Sequence, residues 1–269
     1  MKKMFLFLLL YFIIFSFSIT YASDDYSMML YDNGWKNLTK DVNVGMNEPV
    51  INTNIQKIFN LKMVHSGEQE VGRVSTPMEY FNSRKKGNFI YAYTTYDIID
   101  KGLFEDIAMS YIYLSKAKPS KYSYVRGFPF DEKDPLTVLP VDFISWVGSD
   151  QREAIEQAIE QKKPWRSLAP NAKVLEAKEG RLSIYDTFGE DFYSLSEKER
   201  YSGDMPSHII SPSVLGDLNG DGYEDIVLSC AHYWVEGSGR SYYLVVLTRK
   251  SNNAIFEDIT EEVDKIIWD

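Results

Sequence analysis

The sequence predicts an α+β fold that consists mainly of antiparallel β-sheet with a few helices. The first observation is a set of short runs rich in aromatic and β-branched residues, many of them alternating, which is typical of strands. These runs are Phe89 to Tyr93, Ile107 to Leu114, Leu182 to Tyr185, Ile226 to Ser229 and Tyr242 to Thr248. The second is a turn with two glycines, Glu236 to Arg240, between the last two runs. We therefore predict a C-terminal β-hairpin formed by Ile226 to Trp234 and Ser241 to Thr248.

The third observation is an amphipathic helical pattern from Gln151 to Lys163. Apolar residues recur on one face, Asp150 is placed to cap the first turn, and Pro164 ends the pattern. A second, shorter helix is predicted from Asn52 to Asn60. The helices are thus few, and the strands are expected to form most of the fold.

A segment rich in Lys, Pro, Gly and Asp, Lys116 to Pro140, predicts a long surface connection. It divides the chain into a β-rich N-terminal region, 23–140, and a C-terminal α+β region, 141–269. A single domain covering 23–269 is the alternative that the sequence leaves open.

The first 22 residues have the composition of a secretory signal peptide. Two lysines precede an uncharged run from Met4 to Ile19, and the small residue Ala22 stands where cleavage would occur. The run is shorter than the roughly 18 to 20 residues that span a bilayer. We therefore expect a periplasmic or secreted protein with no stable membrane insertion after cleavage.

Charge and cysteine content limit the possible partners. Without Lys2 and Lys3, the 29 Lys and Arg fall to 27 against 39 Asp and Glu. Such an acidic chain repels phosphate backbones, so nucleic acid is not expected as a partner. Cys230 is the single cysteine, so an intramolecular disulfide is excluded, and we expect it to be a core residue.

The stretch from Asp217 to Asp225 has the residues of a cation-binding loop. Calcium requires six to eight oxygen ligands, and side chains at positions 1, 3 and 5 of a tight loop can converge on one ion. Asp217, Asn219 and Asp221 occupy these positions, Tyr223 can contribute its carbonyl oxygen, and Asp225 can contribute its carboxylate. Position 12 is a leucine in a strand-like run, which excludes an EF-hand. We predict calcium as the cofactor.

The segment from Val214 to Leu228 resembles the FG-GAP or VCBS type of repeat, as found in the integrin α head. The resemblance implies that the loop precedes a strand of a β-propeller blade and that its calcium ties neighbouring strands together. The Phe-Gly and Gly-Ala-Pro elements of the family are not found beside this loop. A second, degenerate copy is considered at Asp97 to Asp106. The part from Gln151 to Lys250 is also similar to the C-terminal part of exported bacterial proteins of unknown function.

These observations favour an exported calcium-binding protein with a non-catalytic role, in which calcium is a structural ion. The expected partner is a protein or a carbohydrate in a binding or scaffold role. One alternative is a secreted hydrolase acting on a cell-envelope or extracellular polymer, with acid and base among the carboxylates from Asp186 to Asp191. Another is a component of an adhesion assembly.

Overall fold

The computed structural model describes residues 28–31, 35–37, 42–52, 57–65, 69–128, 132–141, 149–178, 180–185, 208–233 and 240–269. The predicted signal peptide and the carboxylates from Asp186 to Asp191 lie outside these ranges. The strands are β1 Met29–Tyr31, β2 Trp35–Asn37, β3 Ile51–Asn52, β4 Lys57–Ile58, β5 Leu61–Val64, β6 Glu70–Val74, β7 Phe89–Ile90, β8 Lys173–Lys178, β9 Arg181–Tyr185, β10 His208–Gly216, β11 Asp225–Tyr233, β12 Arg240–Thr248 and β13 Glu257–Asp258. The helices are α1 Val42–Asn47, α2 Pro77–Arg84, α3 Thr95–Lys116, α4 Ser149–Glu160 and α5 Thr260–Trp268. The α+β prediction is confirmed.

One large antiparallel sheet has the strand order β13-β12-β11-β10-β1-β2. On the side away from β11, the first part of β10 pairs with β9 and its last part pairs with β1. A register shift between Pro212 and Val214 separates these two parts. A proline cannot donate to a strand ladder, so this irregularity is where β10 changes neighbours.

Both faces of the large sheet are covered. On one face Leu182, Ile226, Leu228 and Val245 belong to a core that includes residues of α4 and Trp165. On the other face Val227 and Val246 belong to a core with α3 and α5. Because successive strand residues point to opposite faces, a strand buried on both sides must be apolar throughout. This explains the runs Ile226 to Leu228 and Leu244 to Leu247.

Helix α3 contradicts the predicted strand from Ile107 to Leu114, which lies inside it. The helix begins at a capping box, in which Thr94 Oγ1 accepts from Asp97 N (3.2 Å) and Asp97 accepts from Thr94 N (2.9 Å). Phe104, Ala108 and Ile112 follow at helical spacing and are fully buried. The stretch from Asp97 to Asp106 is therefore helical, and the second loop considered there is not formed.

The predicted helix from Asn52 to Asn60 is also wrong, because β3 and β4 pair there as an antiparallel hairpin. The strand predicted from Phe89 to Tyr93 is limited to Phe89–Ile90 and pairs with β5 in a small sheet, β6-β5-β7. By contrast, the C-terminal hairpin is confirmed, with Tyr233 opposite Arg240. The predicted helix after Asp150 is confirmed as well, although α4 already begins at Ser149.

The segment from Lys116 to Pro140 lies only partly at the surface. Val125, Phe128, Leu136 and Leu139 within it are buried in the core beside α4. The described parts of 23–140 and 141–269 also share the large sheet, through the pairing of β1 with β10. The division of the chain into one or two domains stays a prediction. In the described ranges, no helix has the length and apolarity needed to cross a membrane.

Candidate metal-binding loop

The predicted calcium loop connects β10 to β11, and Gly216 and Asp225 pair where the two strands meet it. Asp217 is 5% exposed and organises the turn. Its Oδ1 accepts from Gly220 N (2.7 Å) and its Oδ2 accepts from Gly222 N (2.9 Å). Both glycines have positive φ, 84° and 88°, a conformation that residues with a Cβ rarely adopt. The glycines thus let the backbone wrap around the first carboxylate.

The next two side chains each make a short turn of their own. Asn219 Oδ1 accepts from Asp221 N (3.1 Å), and Asp221 Oδ1 accepts from Tyr223 N (2.9 Å). These are Asx turns, and they also occur in loops without a metal. Each carboxylate or amide oxygen has two lone pairs, so one N–H bond leaves acceptor capacity for a cation.

Asp225 closes the loop and is fully buried. Its Oδ2 accepts from Leu218 N (2.8 Å), whereas its Oδ1 is buried without a hydrogen bond of ordinary geometry. Burial raises the pKa of Asp225 to about 7, and the negative charges of Asp221 and Asp217 contribute to the rise. A cation at this place would therefore be stabilised by a carboxylate that now lacks a counter-charge.

The segment after α3 supports the loop from outside. Lys118 and Asp217 exchange two backbone hydrogen bonds of 2.9 Å, and Gly222 O accepts from Lys121 N (2.9 Å) and Tyr122 N (3.1 Å). The neighbouring Glu224 is fully buried and donates its backbone N–H to Tyr122 O (2.7 Å). The loop is thus fixed between the sheet and the segment that follows α3.

Glu224 differs from Asp225 because it has a basic partner. Its carboxylate accepts from Ser123 Oγ (2.6 Å) and from Arg126 Nε (2.8 Å) and Nη2 (2.5 Å). No sequence pattern indicates this ion pair. The adjacent acids Glu224 and Asp225 give no indication in the sequence that the first would hold the segment outside the loop and the second would serve the loop.

One lysine already lies against the loop. Lys250 Nζ is 3.1 Å from Asp221 Oδ2 and 5.7 Å from the centre of the Tyr223 ring. The hydrogen bond to Asp221 raises the pKa of Lys250. An ammonium group therefore neutralises part of the charge that a bound cation would neutralise.

The five predicted ligands, Asp217, Asn219, Asp221, Tyr223 and Asp225, are all in this one hairpin loop. Their oxygens are the hard donors that calcium prefers. The buried Asp225 Oδ1 lacks a hydrogen bond of ordinary geometry, although the nearby Thr248 hydroxyl offsets part of the rise in the pKa of Asp225. Within the described ranges, no three Asp, Glu, His or Cys side chains are grouped as a metal centre. The carboxylates of Asp217, Asp221 and Asp225 are therefore not gathered around one point, and they would have to move together to bind an ion. The donor types present fit a calcium ion.

Two histidines that are distant in sequence come together elsewhere. His208 and His232 pair across β10 and β11, and their rings stack with centroids 4.5 Å apart. The Trp165 ring meets His208 edge-on at 4.9 Å. Burial lowers the pKa of His208 to about 3, and the nearby His232 adds to the effect. Counting outward from Gly216 and Asp225 would place His208 opposite Tyr233; the register shift between Pro212 and Val214 places it opposite His232, and the sequence did not indicate that shift.

Cys230 is buried in the core, as predicted. Burial raises the pKa of its thiol, which disfavours a nucleophilic role.

Comparisons of the whole chain with models of protein families, with curated protein sequences and with solved structures found no match.

Proposed function

We propose that this chain is an exported calcium-binding protein with a non-catalytic role, and that Asp217, Asn219, Asp221, Tyr223 and Asp225 hold the ion. The observation that carries the proposal is the buried Asp225 carboxylate, whose Oδ1 lacks a hydrogen bond of ordinary geometry inside a loop of oxygen donors. A bound divalent cation would supply the missing counter-charge.

A structural role for the ion follows from what the loop connects. The ligands lie between β10 and β11, and the loop backbone is bonded to the segment from Lys118 to Tyr122. An ion held only in the folded state adds its binding free energy to stability. In a chain whose single cysteine, Cys230, is a free thiol, such an ion would supply part of the stability that secreted proteins otherwise obtain from disulfides. The role expected for the protein as a whole is the binding of a protein or carbohydrate partner.

The test is thermal unfolding of the purified protein with excess calcium and then with a chelator. At a calcium concentration about 100 times Kd, the ion contributes about 2.7 kcal/mol, which corresponds to a rise in Tm of roughly 5 to 10 °C. Asp225→Asn keeps the shape of the side chain and is expected to abolish the rise. Asp100→Asn on α3 is the matched control and is expected to retain it. A wild-type Tm that is the same in calcium and chelator would contradict the proposal.

A further inference from the structure

A polar cluster lies between α3 and the large sheet, beside the irregularity in β10. It consists of Asp106 and four serines, Ser110, Ser211, Ser213 and Ser229. Ser110 Oγ forms a hydrogen bond with Ser213 Oγ and donates to the Asp106 carbonyl (2.7 Å). Such a concentration of hydroxyl groups is unusual on a sheet face that is otherwise packed with apolar residues.

The Asp106 carboxyl group is only partly satisfied. Its Oδ1 is buried without a hydrogen bond of ordinary geometry, although the residue as a whole is half-buried. Burial raises the pKa of Asp106, and a hydrogen bond from Ser229 offsets part of the rise. Among the residues that the structure describes, no basic side chain forms an ion pair with Asp106. A buried carboxylate without a counter-charge is unfavourable.

Two cavities meet at this cluster, of about 430 Å³ and about 580 Å³. Asp106, Ser211 and Ser229 line both of them. The larger cavity is also lined by Glu48, and no Lys, Arg or His from the described ranges lines it. A ligand in the larger cavity would therefore meet two carboxylates and several hydroxyl groups.

The smaller cavity adds aromatic rings. Tyr80, Tyr113, Tyr242, Tyr243 and Trp268 line it. Two further carboxylates there already accept hydrogen bonds, Glu105 from the Tyr80 hydroxyl and Asp264 from the Tyr113 hydroxyl, each at 2.8 Å. Two basic residues, Arg84 and Lys101, also line this cavity, and Lys101 Nζ lies 3.8 Å from Glu105 Oε2. Asp106 is the carboxylate that lines both cavities, and its Oδ1 lacks a hydrogen bond of ordinary geometry.

We propose that Asp106 and the surrounding serines form a binding site for a small organic cation that carries an ammonium group. An ammonium group supplies both the missing positive charge and several N–H donors for the carboxylate and the hydroxyl oxygens. Aromatic faces attract cations, and the net charge of −10 raises the local concentration of a positively charged ligand. A neutral polyol would satisfy the hydroxyl groups and leave the charge of the carboxylate uncompensated.

The test compares 1,4-diaminobutane with 1,4-butanediol, which has the same length and no charge. Binding is measured by calorimetry and by the change in Tm, in a chelator so that the result is independent of the calcium loop. We expect the diamine to bind and raise Tm, and the diol to do neither. Asp106→Asn is expected to weaken diamine binding about tenfold or more. Asp100→Asn, which changes the net charge equally on the same helix, is expected to leave it unchanged.

Three results would overturn the proposal. Equal binding of the diol would point to a neutral polyol site, and equal loss in the two Asp→Asn variants would show non-specific attraction to an acidic protein. The absence of diamine binding to the wild-type protein would exclude an ammonium site.

Asp106→Asn removes a buried charge and is expected to fold with an unchanged or higher Tm. If it does not fold, Ser211→Met, which places a larger side chain in the lining that the two cavities share and retains Asp106, is expected to abolish diamine binding. Retained binding would contradict the site.

Discussion

At the scale of single residues, the adjacent acids Glu224 and Asp225 show how position decides the role of a carboxylate. Both are fully buried, yet Glu224 accepts three hydrogen bonds from Arg126 and one from Ser123, whereas Asp225 Oδ1 makes none of ordinary geometry. Successive residues at the start of a strand point to opposite sides. One carboxylate therefore serves a structural ion pair, and the next remains available for a cation.

The ion pair gives a first prediction. Arg126→Met would leave the Glu224 carboxylate buried without its counter-charge, and we expect a loss of about 3 kcal/mol in the free energy of unfolding. Arg152→Met, which breaks an exposed pair with Glu156 on α4, is the control and should change the free energy of unfolding little, because solvent screens exposed pairs. Denaturant titration measures both. Equal losses would show that the buried pair contributes no more than an exposed one.

Lys250 gives a second prediction. Its ammonium group lies 3.1 Å from Asp221 Oδ2 and competes with a cation for the same negative charge. Lys250→Met is expected to increase the affinity for calcium by up to about fivefold, since exposed ion pairs contribute little. Calcium titration by calorimetry measures this. Lys265→Met, on an exposed position of α5, should leave the affinity as it is; a weaker affinity in Lys250→Met would show that Lys250 supports the loop.

At the scale of elements, the sequence predicted the C-terminal half of the sheet better than the N-terminal half. The sequence of the β11 and β12 region has two glycines between apolar runs that are too short for a helix, so its pattern allows one interpretation. Ile107 to Leu114 alternates like a strand, but Phe104, Ala108 and Ile112 also have helical spacing. Packing against the sheet decided between the two patterns, and local propensity could not.

The capping box at Thr94 supplies a prediction at this scale. Thr94 Oγ1 accepts from Asp97 N, which satisfies one of the free N–H groups in the first turn of α3. Thr94→Ala is expected to lower the free energy of unfolding by about 1 kcal/mol, and Thr94→Ser, which keeps the hydroxyl, by much less. Urea titration of the three proteins checks this. Equal losses in both variants would mean that the methyl group, and not the cap, is what matters.

The candidate sites, too, could be predicted only where they depend on residues that are close in sequence. All five candidate ligands of the loop could be named from their spacing, because the loop is a local feature of nine residues, 217–225. The segment that supports it comes from about 100 residues earlier in the chain, where Arg126 reaches Glu224. Asp106 and Ser229 likewise meet only because α3 packs on the sheet. Contacts between residues distant in sequence leave no periodicity, so these could not be predicted.

At the scale of the whole molecule, β10 and β11 connect the features described above. They end in the loop at one side and bring His208 opposite His232 at the other. Both faces of the sheet are buried, so a charge that appears on one of these histidines has little access to water. The stability of the whole fold is therefore expected to depend on the protonation of this pair.

The pH dependence of stability tests this expectation. The pKa of His208 is lowered to about 3, compared with about 6.5 in the unfolded chain. The unfolded state therefore binds more protons between these values, so the contribution of His208 is complete above pH 6.5 and is lost as the pH falls. Denaturant titrations at several pH values should show wild-type stability falling relative to His208→Phe by up to about 1.4 kcal/mol per pH unit below pH 6.5. The raised pKa of Asp225 acts in the opposite direction and cancels in this comparison, because both proteins contain it. Parallel curves from pH 7 to pH 4 would show that His208 is protonated in the folded protein at no great cost, and that the buried pair does not govern acid stability.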